Sequence, residues 1–183
     1  MSYVTSDTFR NEGYKWIAID SFTELSRRAF TEATIENDNP KDGFKKYELY
    51  TQKIDPMIND LRDLPIHVVC TALATESKDE NGMTNFWPML HQKSKVEAFC
   101  GTFDVVAALI NKSETVKTED GKTKMKMHRY TLTGNVSGWH GKTRDCHGRI
   151  RVAEEGTNVA SLVKRLVMNK EEFENTKRQG VAA

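Results

Sequence analysis

The stretch that most constrains this chain is Tyr14-Lys15-Trp16-Ile17-Ala18-Ile19-Asp20, a short apolar run that ends in an acid. A run apolar at successive positions and too short for a helix predicts a buried strand of a parallel sheet. Ser21 follows with Glu24 three residues on, the reciprocal pair that opens a helix, and Phe22, Leu25, Ala29, Phe30 and Ala33 then recur at helical spacing. A second amphipathic helix steps through Phe44, Tyr47, Tyr50, Ile54, Met57, Ile58 and Leu61, with Pro56 predicting a kink or break. Leu64-Pro65 closes it, and the apolar run 66–72 predicts a second buried strand. Strand, helix and strand in this order predict a parallel crossover unit.

The remainder is less regular. Residues 74–95 are polar and aperiodic and predict a long loop, a form usually functional or disordered inside a compact domain. A short helix is expected over 96–100 and a third strand over 103–110. A hairpin over 116–127 should turn at Asp120-Gly121, with its outgoing arm running on through Tyr130-Thr131-Leu132. A glycine-rich irregular stretch follows over 134–148, then a short strand near Ile150 and Val152, and a closing helix through Val159, Leu162, Val163, Leu166 and Val167. Residues 1–13 predict a loose lead-in, 14–168 the core, and 169–183 a polar, frayed tail.

Composition narrows the function. The 183 residues suffice for a domain with a real core, and a net charge of +1 provides no global attraction to nucleic acid or membrane. No apolar run reaches the roughly 18–20 residues of a membrane span, and the N-terminus lacks a signal-peptide pattern, so a cytoplasmic location and no membrane partner are expected. Cys70, Cys100 and Cys146 are an odd, widely spaced set without a disulfide framework, and the five histidines lack zinc-ligand spacing.

The chemistry concentrates at Asp20. In open α/β sheets ligands sit beyond the carboxyl ends of the strands, and a carboxylate there can hold Mg²⁺, usually through water, opposite a nucleotide phosphate. A strand also ends in Asp simply because Asp starts turns. The wider pattern, WIAIDSFTELSRRAF (16–30), LPIHVVCTALATESKDE (64–80), FDVVAALI (103–110) and KTRD (142–145) followed by GRI (148–150), resembles the phage RecA-like P-loop ATPases of recombination and single-strand annealing, from the Walker B strand onward. The resemblance implies a RecA-like core with a mostly parallel sheet, lacking the P-loop strand and carrying an added β-hairpin. It implies ATP and Mg²⁺ as cofactors, with Asp20 as the magnesium acid, Ser21 beside it and Thr71 as a γ-phosphate sensor. It also implies that Lys142 and Arg144 are catalytic cations reaching the nucleotide of an adjacent subunit, hence a homo-oligomer or a complementing subunit.

Hydrolysis needs GxxxxGK[ST] opening a helix. The nearest string, Gly138-Trp139-His140-Gly141-Lys142-Thr143, has Val136 where the first glycine belongs and no apolar helix after it, so it is expected to be a decoy. ATP turnover is expected only if a Walker A loop comes from elsewhere. A complementing chain, a truncated fragment and a non-catalytic form that binds single-stranded DNA or a partner all remain open, and without its central strand the sheet should expose an edge. Segment 74–95 falls where RecA-like proteins carry a DNA-binding loop, with Lys78, Lys93 and Lys95 for phosphates and Phe86 and Trp87 for stacking on single-stranded bases. Glu76, Asp79 and Glu80 oppose this, and Phe86 and Trp87 could instead pack on the core. Lys122, Lys124 and Lys126 share a strand face, a phosphate track or a solvated edge guard.

Overall fold

The computed structural model describes residues 6–37, 41–118 and 120–178. They fall into two units, one of Met1–Ser77 with Phe86–Phe103 and one of Lys78–Asn85 with Asp104–Ala183.

The first unit begins with α1 (Asp7–Asn11), capped by Ser6 and burying Phe9, where the polar composition predicts only a loose lead-in. β1 (Trp16–Ile19), α2 (Phe22–Glu36), α3 (Lys45–Asp63) and β2 (His67–Cys70) form the expected crossover, with β1 parallel to β2 and Trp16 opposite His67. The Ser21 hydroxyl accepts the Glu24 amide, as the capping pattern requires. α2 buries Phe22, Ser26, Ala29 and Ala33, and α3 buries Tyr50, Ile54, Ile58 and Leu61, each set on one helical stripe. Full burial of side chains such as Phe22 and Ile54 contributes about 1.5–3 kcal/mol each.

Two expectations fail here, and of the kink or break expected at Pro56 the break does not occur. α3 continues through Pro56 without a break. Pro56 and Gln52 lie on its exposed side, where water can satisfy the carbonyl that proline leaves without a donor. β1 is parallel but not buried: Trp16 and Ala18 are exposed while Ile17 and Ile19 are half-buried, the alternation of a sheet covered on one side. Segment 74–95 is not a loop. It forms a hairpin of β3 (Ala74–Lys78) and β4 (Thr84–Pro88), then leads into α4 (Ser94–Thr102). The turn is organised by Asp79, whose carboxylate accepts the amides of Asn81 and Met83. The base of this hairpin belongs to the first unit and its tip to the second. α4 buries Val96, Phe99 and Cys100, with Phe99 stacked on Phe22 at 4.2 Å between ring centroids.

The second unit comprises β5 (Val105–Val106), β6 (Ala108–Lys117), β7 (Thr123–Leu132), β8 (Lys142–Thr143), β9 (Ala153–Glu155), α5 (Val159–Val167) and α6 (Lys170–Arg178). The apolar run 103–110 is not one parallel strand. It divides at Ala107: β5 pairs antiparallel with β8, and β6 pairs antiparallel with β7. The β6–β7 hairpin turns at Asp120-Gly121 and its outgoing strand runs on to Leu132 as expected; the incoming strand begins earlier, at Ala108, so each has ten residues. β9 adds antiparallel to the far end of β7, at Tyr130–Leu132. A mostly parallel sheet is not confirmed: among the described residues the molecule is mixed α/β with several small sheets, β1–β2 parallel and β5–β8, β6–β7 and β7–β9 antiparallel. α6 replaces the frayed tail over 170–178 and buries Phe173.

Gly-rich 134–148 is ordered by backbone contacts. Val136 and Trp139 exchange both amide hydrogen bonds around Ser137 and Gly138, each with positive φ, the mark of a type I′ turn. A Cβ on Gly138 would stand 2.2 Å from the Thr84 carbonyl oxygen, so only glycine permits this approach. Two buried ion pairs fasten the C-terminal part. Arg149 donates to Asp145 at 2.9 Å and to the Met168 carbonyl. Arg165 grips both oxygens of Glu154, at 2.7 and 2.5 Å.

Candidate nucleotide-binding site

Parallel pairing places Ile19 opposite Cys70, so the residues that follow, Asp20 and Thr71, emerge side by side at the carboxyl end of the sheet. The Thr71 hydroxyl donates to Asp20 Oδ1 at 2.5 Å, and the Thr71 amide donates to the Ile19 carbonyl at 3.0 Å. The Phe22 amide at the start of α2 donates to the Thr71 carbonyl at 2.8 Å, closing the junction between strand ends and helix. Ser21, in a cis peptide bond with Asp20, caps that helix. Asp20 and Thr71 are exposed, so the hydrogen-bonded carboxylate and hydroxyl are open to an incoming ligand; Ser21, next in the chain, is half-buried with its hydroxyl on the Glu24 amide. A carboxylate with one hydroxyl beside it is a hard-oxygen pair, which fits a magnesium ion that keeps several waters.

The surroundings reinforce this corner. Glu24 in the first turn of α2 is gripped by Arg27, at 2.7 and 2.8 Å, and by Arg28 at 3.0 Å, and the two guanidinium groups hold its carboxyl at about 2. Burial pushes the neighbouring Cys70 thiol up to about 12, which leaves it protonated and unreactive at neutral pH.

Two residues of this corner were missed in the sequence. Thr23 accepts the Leu73 amide at 3.0 Å and donates to the Met89 carbonyl at 3.0 Å. Ser26 accepts the His91 amide at 2.9 Å and shares a 2.7 Å hydrogen bond with the Tyr50 hydroxyl. Together they tie the segments flanking the β3–β4 hairpin to α2. A serine on the buried stripe of a helix is the signal that could have found this, because a buried hydroxyl needs a partner.

The remaining candidates are dispersed. Phe86 and Trp87 sit half-buried on β4, Lys93 is exposed ahead of α4, and Lys78 ends β3 within the second unit. Lys95 is paired with Asp55 on α3 at 2.8 Å, so a phosphate would have to compete for its ammonium. Lys142 lies on β8 and Arg144 just after it, in the second unit, with the Arg144 guanidinium 3.3 Å from Asp104. The Gly-Lys-Thr string thus falls on a strand and not at a helix N-terminus, as its flanking sequence implies. Among the described residues no group of three or more His, Cys, Asp or Glu is placed to hold a metal ion, and no helix is long and apolar enough to cross a membrane.

The AAA domain family model matches residues 1–145, which takes in β1, the Asp20–Thr71 corner, and β8 with Arg144 after it. The chain belongs to the AAA domain family. AAA domains are of the P-loop NTPase type and in general use a nucleotide and a divalent cation. No curated protein and no solved structure matches this AAA chain.

Proposed function

We propose that this AAA chain is a phage-type RecA-like nucleotide-binding protein of DNA recombination or single-strand annealing. ATP and Mg²⁺ would bind at the carboxyl end of β1, with Asp20 holding the metal, Ser21 beside it and Thr71 sensing the γ-phosphate. The observation that carries this reading is the junction of Asp20 and Thr71 on adjacent parallel strands at the start of α2. Bound magnesium would neutralise charge on the phosphates. The Thr71 hydroxyl orients the Asp20 carboxylate, and the Ser21 cap fixes the start of α2. Lys142 and Arg144 would act on the nucleotide of an adjacent subunit of a homo-oligomer or of a complementing chain, lysine as a point charge and arginine as a planar fork. Lys78, Phe86, Trp87, Lys93 and Lys95 would face single-stranded DNA.

The absence of GxxxxGK[ST] from these 183 residues favours a second reading, a module that binds single-stranded DNA or a partner without hydrolysing ATP. Titration with a fluorescent ATP analogue, with and without Mg²⁺, separates the two. Under the first reading binding depends on magnesium, and Asp20→Ala abolishes that dependence while the circular-dichroism melt is unchanged, because Asp20 is exposed. Wild-type behaviour of the variant would reduce Asp20 to a turn residue. No nucleotide binding, with DNA binding retained, supports the second.

A further inference from the structure

The β6–β7 hairpin carries a charge pattern that the nucleotide corner does not use. Residues 108–132 hold six lysines and arginines against three acids, +3 in a chain whose net charge is only +1. β9 pairs with β7 only at residues 130–132, so among the described residues the rest of the hairpin is a two-stranded arm with both edges unpaired. Within its two strands Glu114 is the one carboxylate; it stands opposite Lys126 in the register, 3.4 Å from His128 Nε2. In the turn, Asp120 accepts the Thr118 hydroxyl and lies 3.4 Å from Lys122. Lys122, Lys124 and Lys126 are all exposed, Lys122 beside Asp120 and Lys126 opposite the single Glu114, so the cations of this face outnumber its acids. Lys124 and Lys126 point to one face about 7 Å apart, within reach of successive phosphates.

We propose that this arm is a binding site for the phosphate backbone of duplex DNA, read through charge and not through base sequence. A single-strand platform needs aromatic rings on which bases stack, and the tip, residues 113–127, has none. Tyr130, near the base, already carries the Lys112 ammonium 5.6 Å from its ring centroid. The opposite face of the arm bears exposed Ser113, Thr115, Met125 and Met127 and no acid, so nothing on it repels a polyanion. The site requires neither ATP nor Asp20, so its failure leaves the nucleotide reading standing.

The test is fluorescence anisotropy of the full chain with a labelled duplex of mixed sequence, over a salt series and with unlabelled single strand of equal length as competitor. Lys124→Gln with Lys126→Gln should weaken duplex binding tenfold or more and flatten the salt dependence by about two, close to one unit for each phosphate that is no longer neutralised. The corresponding Glu pair should weaken it further. Removing two exposed charges elsewhere, Lys164→Gln with Lys170→Gln, should leave the slope as it was. Unchanged affinity in the arm variants would make these lysines edge guards and overturn the proposal. An equal loss in the Lys164/Lys170 control would assign the effect to net charge and also overturn it. A loss of single-strand binding in the arm variants equal to or greater than the loss of duplex binding would overturn the duplex assignment. Circular-dichroism melts confirm that the glutamine variants fold.

Discussion

Arg165→Met removes one partner of the most enclosed ion pair in the second unit. The side chains of Arg165 and Glu154 are 7% and 9% exposed, and the guanidinium forks onto both carboxylate oxygens. Burial acts to raise the Glu154 pKa, but Arg165, the Arg151 amide and the Thr157 hydroxyl outweigh it and lower the carboxyl from 4.5 to about 2. That difference corresponds to roughly 3 kcal/mol of folding free energy. Breaking a buried pair by removing one partner costs about 3–5 kcal/mol. The lower end applies here, because Glu154 keeps the Arg151 and Thr157 donors. Urea titrations near neutral pH should therefore show Arg165→Met about 3 kcal/mol less stable, and hydrogen exchange over 149–167 should place the loss in this unit. The sign with pH follows from a depressed carboxyl. The stabilisation is complete above 4.5 and is lost as pH falls toward 2, so the gap between wild type and variant should narrow across that window. A neutral-pH gap under about 1 kcal/mol, or one that stays constant down to about pH 3, would refute the argument.

Ser26→Ala removes the hydroxyl that bonds both the Tyr50 hydroxyl and the His91 amide, but the His91 and Gln92 backbone still reaches the Tyr50 hydroxyl, so the loss in denaturant unfolding should be about 1 kcal/mol. Gly138→Ala should destabilise more than Gly121→Ala in the same assay. Both have positive φ, but only Gly138 faces a carbonyl, 2.2 Å from where the Cβ would stand. Trp87→Ala should weaken single-stranded DNA binding by about 1–3 kcal/mol if a base stacks there, and equal affinity in a filter-binding assay would return Trp87 to a packing role.

What was legible in the sequence was local. β1, the Ser21 cap, α2, β2 and the Asp120-Gly121 turn each announce themselves within a few residues, and parallel pairing then brings Asp20 to Thr71 without further information. The misreadings share a cause, which is that the deciding partner is distant. ATESK and TNFWP look like loop because their strands are mostly half-buried or exposed and carry many polar residues. FDVVAALI looks like one buried parallel strand because nothing within it shows that its halves pair with residues 142–143 and 123–132. Thr23 was invisible for the same reason: its partners lie 50 and 66 residues away.

That threonine has a mechanical consequence. A single hydroxyl joins the backbone leaving β2, at Leu73, to the backbone leaving β4, at Met89. Neither segment can slide along the first turn of α2 without breaking its own bond to that oxygen, and a shift of both breaks the two at once. Two such bonds resist at about 1 kcal/mol each, enough to keep the roots of the hairpin in step with the helix that begins at Ser21. The oxygen of Thr23 thus acts as a rivet, holding the two roots of the hairpin, at Leu73 and Met89, to the same helical turn that follows Asp20.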